Sequence, residues 1–150
     1  MCHPGPAVGL LRAYQPTYRD HFYTTDAIEM DQAVNRLGYT REETSGYVFS
    51  TPWHSTTPLY RMYNPTVSDH FYTTSYSEVQ SATAVGYNYE MIAAYVYEAN
   101  ICGSVAFYRL YSPSATDHFY TTSASEASNA VANLGYTLES VVGYVLPVKP

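Results

Sequence analysis

A chain of 150 residues, 46% of them apolar, is long enough for one compact domain and too apolar to stay disordered. A net charge of −6 with only 13% charged residues excludes the basic stripe that nucleic acid requires and gives no electrostatic hold on an anionic membrane. No apolar run approaches the roughly 20 residues of a spanning helix. The opening "MCHPGPAVGL" lacks the basic and long apolar regions of a signal peptide, so the expectation is a cytoplasmic protein, released if at all by a non-classical route.

Cys2 and Cys102 are too few and too far apart for a disulfide framework. Two reduced thiols are the simpler reading, and nothing in the sequence selects a Cys2–Cys102 clip. Tyrosine is the compositional outlier, with 18 residues against 5 Phe and a single Trp. Its broad ring and polar tip suit a surface that is adhesive and still soluble.

The hexapeptide "DHFYTT" begins at Asp20, at Asp69 and at Asp117. Around it, residues 20–48 and 117–145 align without a gap and are identical at 18 of 29 positions; the middle copy needs one deletion. The chain therefore divides into three copies, about 10–58, 59–105 and 106–150, within one domain.

Each copy opens on a short strand, "LLRAY", "LYRMY" or "FYRLY", followed by a turn with Pro at its second position, which presets φ. "DHFYTT", rich in aromatic and β-branched residues, predicts a second strand and hence a β-hairpin. Asp26, Ser75 and Ser123 precede Glu29, Glu78 and Glu126 by three residues, the spacing of a capping box. Met30, Ala33, Val34 and Leu37, like Ala127, Ala130, Val131 and Leu134, then mark one apolar stripe on a short helix. Gly38, Gly86 and Gly135 stop it. Further strand material follows, expected to bend at Gly46, Ala94 and Gly143. A unit this small cannot cover its own faces. The expectation is an α+β fold of three pseudo-threefold-related repeats, β-rich and closed into a ring, with an open array as the alternative.

Strand alternation assigns the faces. A four-residue loop puts Met62 and Phe71 inward and gathers Arg61, Tyr63, His70 and Tyr72 on the opposite face; a five-residue loop reverses this. The equivalent clusters are Arg12, Tyr14, His21, Tyr23 and Arg109, Tyr111, His118, Tyr120. Two uses compete for them: a hydrogen-bonded network between copies, with Asp as the partner of Arg, or a binding surface. Glu42, Glu90 and Glu139 are further partners for the same Arg residues. Phe22, Phe71 and Phe119 read as core, as do Tyr47, Tyr95 and Tyr144. Trp53, in the linker "STPWHSTTP", reads as a plug rather than an extension of a site.

Catalysis fits three equivalent copies badly, because an active site is built once. There is no nucleophile elbow, phosphate loop or CxxC, and adjacent Asp and His on a strand point to opposite faces. A zinc site of His21, His70 and His118 requires all three to face one axis, which spacing does not show. No enzyme activity, cofactor or metal is expected. Saccharide binding explains the tripling, since weak sites on one body gain avidity on a glycan surface. Asp, Arg, His and Tyr supply the planar polar groups and the aromatic plate it needs. The rival is a protein-interaction or structural repeat module. Oligomerisation is left open.

"YRMYNP…DHFYTTS…E…GY…E…GYV" resembles a family of repeats of roughly 45–50 residues found in fungi and in bacterial surface and secreted proteins. It also resembles the small mushroom lectins of the Lyophyllum decastes α-galactosyl-binding type. The resemblance implies a multivalent lectin directed at galactosides on glycoproteins or glycolipids. It places binding on Asp20, Asp69 and Asp117 with the adjacent His21, His70 and His118. Arg12, Arg61, Arg109, Tyr23, Tyr72 and Tyr120 act in support. The first copy departs from the others at Leu11 and Gln15. On this reading Asp69→Ala or His70→Ala lowers glycan affinity and leaves thermal unfolding near wild type.

Overall fold

The computed structural model describes residues 2–150. In chain order the elements are β1 (Val8–Gln15), β2 (Asp20–Thr24), α1 (Ala27–Arg36), β3 (Thr40–Arg41), β4 (Gly46–Val48), β5 (Thr56–Asn64) and β6 (Asp69–Thr73). Then follow α2 (Tyr76–Thr83), β7 (Asn88–Tyr97), β8 (Val105–Ser112), β9 (Asp117–Thr121), α3 (Ala124–Asn133) and β10 (Thr137–Val145).

The three hairpins form in the register of the four-residue loop. Arg61 lies opposite Tyr72, Met62 opposite Phe71 and Tyr63 opposite His70. The pairs Arg12–Tyr23, Ala13–Phe22 and Tyr14–His21 match them in the first hairpin, and Arg109–Tyr120, Leu110–Phe119 and Tyr111–His118 in the last. Each loop closes on a left-handed residue, Arg19 (φ 58), Ser68 (φ 54) or Thr116 (φ 51). This face assignment sends Ala13 and Phe22 onto Met30 and Ala33 of α1, Met62 and Phe71 onto Val79 and Ala82 of α2, and Leu110 and Phe119 onto Ala127 and Ala130 of α3. Burying each Met or Phe side chain contributes about 1.5–3 kcal/mol.

The helices start at Asp26, Ser75 and Ser123, whose side chains accept the N–H of Glu29, Glu78 and Glu126. The glutamates, however, do not reach back to the cap. The Asp26 N–H donates to Thr24 Oγ1, and that hydroxyl donates to Glu29 Oε1. Thr73 and Thr121 relay in the same way to Glu78 and Glu126. Because the threonine satisfies the cap, one carboxylate face of each glutamate stays available. The apolar stripes also end earlier than their spacing predicts, since Leu37 and Leu134 are 61% and 59% exposed. Both are C-cap residues, and Gly38 and Gly135 turn the chain at φ 78 and φ 80 directly after them.

The predicted α+β arrangement of three pseudo-threefold repeats is corrected. Strands hold 44% of the residues and helices 19%, in two antiparallel sheets, one of them a curled half-barrel. One sheet has six strands in the order β6-β5-β7-β10-β8-β9; the other has four, β2-β1-β3 with β4 also on β1. The inequality lies in the return strands. β7 and β10 run unbroken and meet at Tyr97 and Tyr144, which fuses the second and third segments into one sheet. The equivalent stretch of the first segment is split into β3 and β4, and it reaches the larger sheet only through the bridges Tyr47–Leu146 and Phe49–Tyr95.

The bends in β7 and β10 are bulges. One extra residue falls between the pairs Arg61–Met91 and Met62–Tyr89, and another between Arg109–Ser140 and Leu110–Leu138. These extra residues are Glu90 and Glu139. A bulge re-aims the inserted side chain, and both glutamates turn toward the arginines across the ladder. A second bulge in each strand inserts Ala93 and Val142, beside the expected bends at Ala94 and Gly143, and a Cβ added to Gly143 would stand 2.7 Å from Val96 Cγ2.

The main core joins all three segments through Leu10, Tyr23, Val48, Leu59, Tyr72, Val96, Phe107, Tyr120 and Val145. Trp53 stacks on Phe49, with ring centroids 5.8 Å apart, in a smaller cluster with Tyr97 and Leu146. Tyr47, Tyr95 and Tyr144 pack against that same cluster while staying partly exposed. Cys2 and Cys102 form a disulfide, not the two reduced thiols expected, with a Cα–Cα distance of 5.5 Å. A loop of this length restricts the unfolded chain by about 4–5 kcal/mol on the chain-entropy model. Among the described residues no helix is long and apolar enough to cross a membrane.

Candidate functional site

The three hexapeptide strands, β2, β6 and β9, meet at the centre and hand their contacts around a closed ring. The Tyr72 hydroxyl donates to the carbonyl of Tyr23 at 2.8 Å and accepts the Tyr23 N–H at 2.7 Å. Tyr120 does the same for Tyr72, and Tyr23 for Tyr120. One phenol thus satisfies both backbone groups of a residue in the next hairpin, an obligation that buried backbone must meet. The rings pack edge to face at 5.3–5.4 Å. Burial holds all three hydroxyls protonated, far above the usual phenol range.

Asp and His pair between segments, never within one hexapeptide. Asp20 accepts from the His70 N–H at 2.8 Å and from His70 Nδ1 at 2.6 Å. Asp69 holds His118 in this way, and Asp117 holds His21. Tyr39, Tyr87 and Tyr136 each donate a further bond at 2.5 Å to Asp20, Asp69 and Asp117. With carboxylate oxygens as acceptors, Nδ1 carries the proton. Nε2 then faces outward, 3.6–3.7 Å from Glu90, Glu139 and Glu42. Oxygens of the three aspartates come within 4.8 Å of one another. Among the described residues these carboxylates are the metal-competent groups that gather, rather than the imidazoles a three-histidine centre needs, and their oxygens are already occupied by donors.

Each arginine crosses from its hairpin to the helix of another segment, the preceding one for Arg61 and Arg109 and the last one for Arg12. Arg61 is bidentate on Glu29 at 2.9 and 2.8 Å, and Arg109 on Glu78 at 2.9 and 2.7 Å. Arg12 holds Glu126 less closely, at 3.1 Å for both bonds. The partner is thus the cap glutamate and not the expected aspartate. Each guanidinium also lies over a phenylalanine of that same partner segment, Arg61 over Phe22, Arg109 over Phe71 and Arg12 over Phe119, at 4.9–5.1 Å. Nε of Arg61 and Arg109 donates to the bulge residues Glu90 and Glu139 at 2.9 and 3.0 Å. In the first segment Arg12 Nε comes 2.9 Å from Glu42 Oε1 but off the hydrogen-bond line, so both atoms lack a partner. Burial alone would raise the pKa of Glu29 and Glu126, yet the arginine bonds outweigh it and hold both below the usual carboxylate range. For Glu78 the Arg109 bond is the largest cause and acts in the same direction.

The sequence-proposed residues therefore separate by depth. Asp20, Asp69, Asp117, Tyr23, Tyr72 and Tyr120 are at most 1% exposed, with their polar atoms used internally, and form no part of the walls of the molecule's two largest-scale open clefts between segments. Arg12, Arg61, Arg109, His21, His70 and His118 are buried against the neighbouring segment, and of these Arg12, His21, Arg61 and His70 present an edge to those clefts. The cleft between the first hairpin and α3, cleft 1, has a volume of about 460 Å³; that between the middle hairpin and α1, cleft 2, about 310 Å³. Both have the same walls: Arg12 or Arg61, His21 or His70, Tyr14 or Tyr63, and the paired glutamates. Across from them stand Asn129 or Gln32, Leu134 or Leu37, and Tyr136 or Tyr39. The site residues missed by motif reading are those on the helix, Glu29, Gln32 and Leu37 in cleft 2. Glu29 and Gln32 are three apart and so share one helix face.

A family model described as a domain of unknown function (DUF5648) matches residues 9–146, and the chain belongs to this family. No curated protein and no solved structure matches. Nothing in these comparisons links the chain to the mushroom lectins its repeat resembles.

Proposed function

We propose that this DUF5648 member is a non-enzymatic saccharide-binding protein that takes sugar units in the clefts between its segments. The carrying observation is the recurrence of one constellation in clefts 1 and 2: a fixed guanidinium–carboxylate pair, an outward imidazole edge, a side-chain amide and tyrosine rings. Such a set meets sugar hydroxyls with planar donors and acceptors, and a pyranose C–H face with an aromatic ring. The ion pairs and the aspartate behind each imidazole hold these groups in place before a ligand arrives, which lowers the ordering cost of binding. Each site is weak on its own, so function rests on avidity. Galactosides are the class proposed, α-linked ones first, on glycoproteins or glycolipids. The Cys2–Cys102 disulfide supports release of the cytoplasmically made chain into an oxidising environment.

The alternative, a protein-interaction module, draws on one observation. Tyr76 and Tyr89 are exposed and flank the half-buried Tyr60, with centroids 5.8 and 6.2 Å from it, and the first segment carries other residues at all three of those positions and the third at two. A glycan array separates the two. Binding confined to galactosides supports the saccharide reading; silence across galactosides and other common sugars overturns it.

A further inference from the structure

Clefts 1 and 2 share their walls but not their charge. In cleft 2, Arg61 stands against Glu29 and Glu90. In cleft 1, Arg12 and Arg19 stand against Glu42 and Glu126. Counting side chains with neutral histidine, the first set carries one excess negative charge and the second balances. Arg19 is the added group. It closes the first hairpin loop, where the other hairpins have Ser68 and Thr116. It is exposed at the mouth of the cleft. Among the described residues no carboxylate lies within salt-bridge distance of it, whereas Arg12, Arg61 and Arg109 each have two.

The second observation lies deeper. Arg12 is 9% exposed, and its Nε has no hydrogen-bond partner, although the equivalent atoms of Arg61 and Arg109 do. Its bonds to Glu126 are also the longest of the three pairs. Cleft 1 is the larger of the two and carries an extra hydroxyl group, Ser114, from the turn of the last hairpin. A free guanidinium at the rim is what a carboxylate needs, because charge-assisted bonds to guanidinium are the stronger class, whereas Arg12 at the base is held by Glu126 and faces Glu42 at 2.9 Å.

Resting on the saccharide reading above, we propose that cleft 1 is specific for an acidic sugar, a uronate whose ring carboxylate is received by Arg19, while cleft 2 takes the neutral hexose. The protein then reads two kinds of sugar unit on one glycan. The acidic balance of the whole chain does not oppose this, since charges beyond about 10 Å are screened at ordinary ionic strength.

Methyl α-galactoside and methyl α-galacturonide are matched probes, as they differ only in CH2OH against carboxylate. Titration of each into the protein, followed by the imidazole NMR signals of His21 and His70, reads the clefts separately. The expected result is a uronate response at His21 roughly tenfold tighter than at His70, the size of one charge-assisted bond. Arg19→Gln is expected to remove that preference, and Ser68→Arg to confer it on His70. Galactoside binding with equal uronate affinity at both histidines, or a preference that survives Arg19→Gln, overturns this proposal and leaves the saccharide reading standing. No response to either probe at either histidine overturns both.

Discussion

The centre of the molecule and its clefts are built from the same hexapeptide, yet they answer to different physics. At the centre, Tyr72 and Asp69 are 1% and 0% exposed; the Tyr72 hydroxyl bonds to the first segment, and Asp69 holds His118 of the third while accepting from Tyr87 of its own. At the segment boundary, the Arg61–Glu29 pair is tied just as firmly but leaves one edge open. Repetition therefore serves two ends. The inward residues weld the segments, and the outward ones inherit a fixed geometry from that weld.

Substitutions that unpair the centre should cost most. Asp69→Ala leaves the His118 N–H, the His118 imidazole and the Tyr87 hydroxyl without their acceptor. Breaking a buried pair costs about 3–5 kcal/mol, so denaturant unfolding should show a loss of that size. This reverses the sequence-based expectation of near-wild-type unfolding. A loss below about 1 kcal/mol would show the aspartate to be replaceable and the centre less constrained than described.

Tyr72→Phe comes next. It keeps the ring and strips both hydrogen bonds from the Tyr23 backbone. Two unsatisfied buried groups imply about 2–4 kcal/mol, read as a lower urea midpoint with an unchanged m-value.

Acid should then act on the interface as a whole. The folded pKa values of Glu29, Glu78 and Glu126 lie below the reference of 4.5. A depressed carboxylate contributes stability above its unfolded pKa and loses it as pH falls through the folded value. Melting temperature should hold from neutral pH to about 4.5 and fall below it, as these three groups are protonated. A melting temperature that is flat down to pH 3 would remove the arginine–glutamate pairs from the account.

Smallest in stability, Gln32→Ala touches only an exposed wall of cleft 2. It should change unfolding by less than about 0.5 kcal/mol and weaken galactoside binding at that cleft several-fold, measured by titration. Equal stability losses in Gln32→Ala and Tyr72→Phe would erase the distinction between the two regions.

What the sequence revealed follows the range of the interactions involved. The caps at Asp26, Ser75 and Ser123 and the stops at Gly38, Gly86 and Gly135 are local, and spacing finds them; alternation leaves two hairpin registers open, and the four-residue loop is the one formed. Contacts between segments are not local. Asp117 reaches His21 across 96 residues and Arg12 reaches Glu126 across 114, and no pattern within one copy reports a partner in another. The same reason hid the Cys2–Cys102 disulfide, 100 residues apart. Near-identical copies also suggested three equal units. The unequal sheets arise because β7 and β10 meet each other while β3 and β4 are split, a difference the shared motifs do not encode. The Glu90 and Glu139 bulges were visible only as a recurring glutamate without a stated geometry.

The most direct measurement is a galactoside titration of the wild-type chain followed residue by residue by NMR. The account predicts saturable shifts at His21, His70, Tyr14, Tyr63 and Gln32, with the backbone of Tyr23, Tyr72 and Tyr120 unmoved. Shifts confined to Trp53 or to the Tyr60–Tyr76–Tyr89 cluster, or no shift at any concentration, would contradict it.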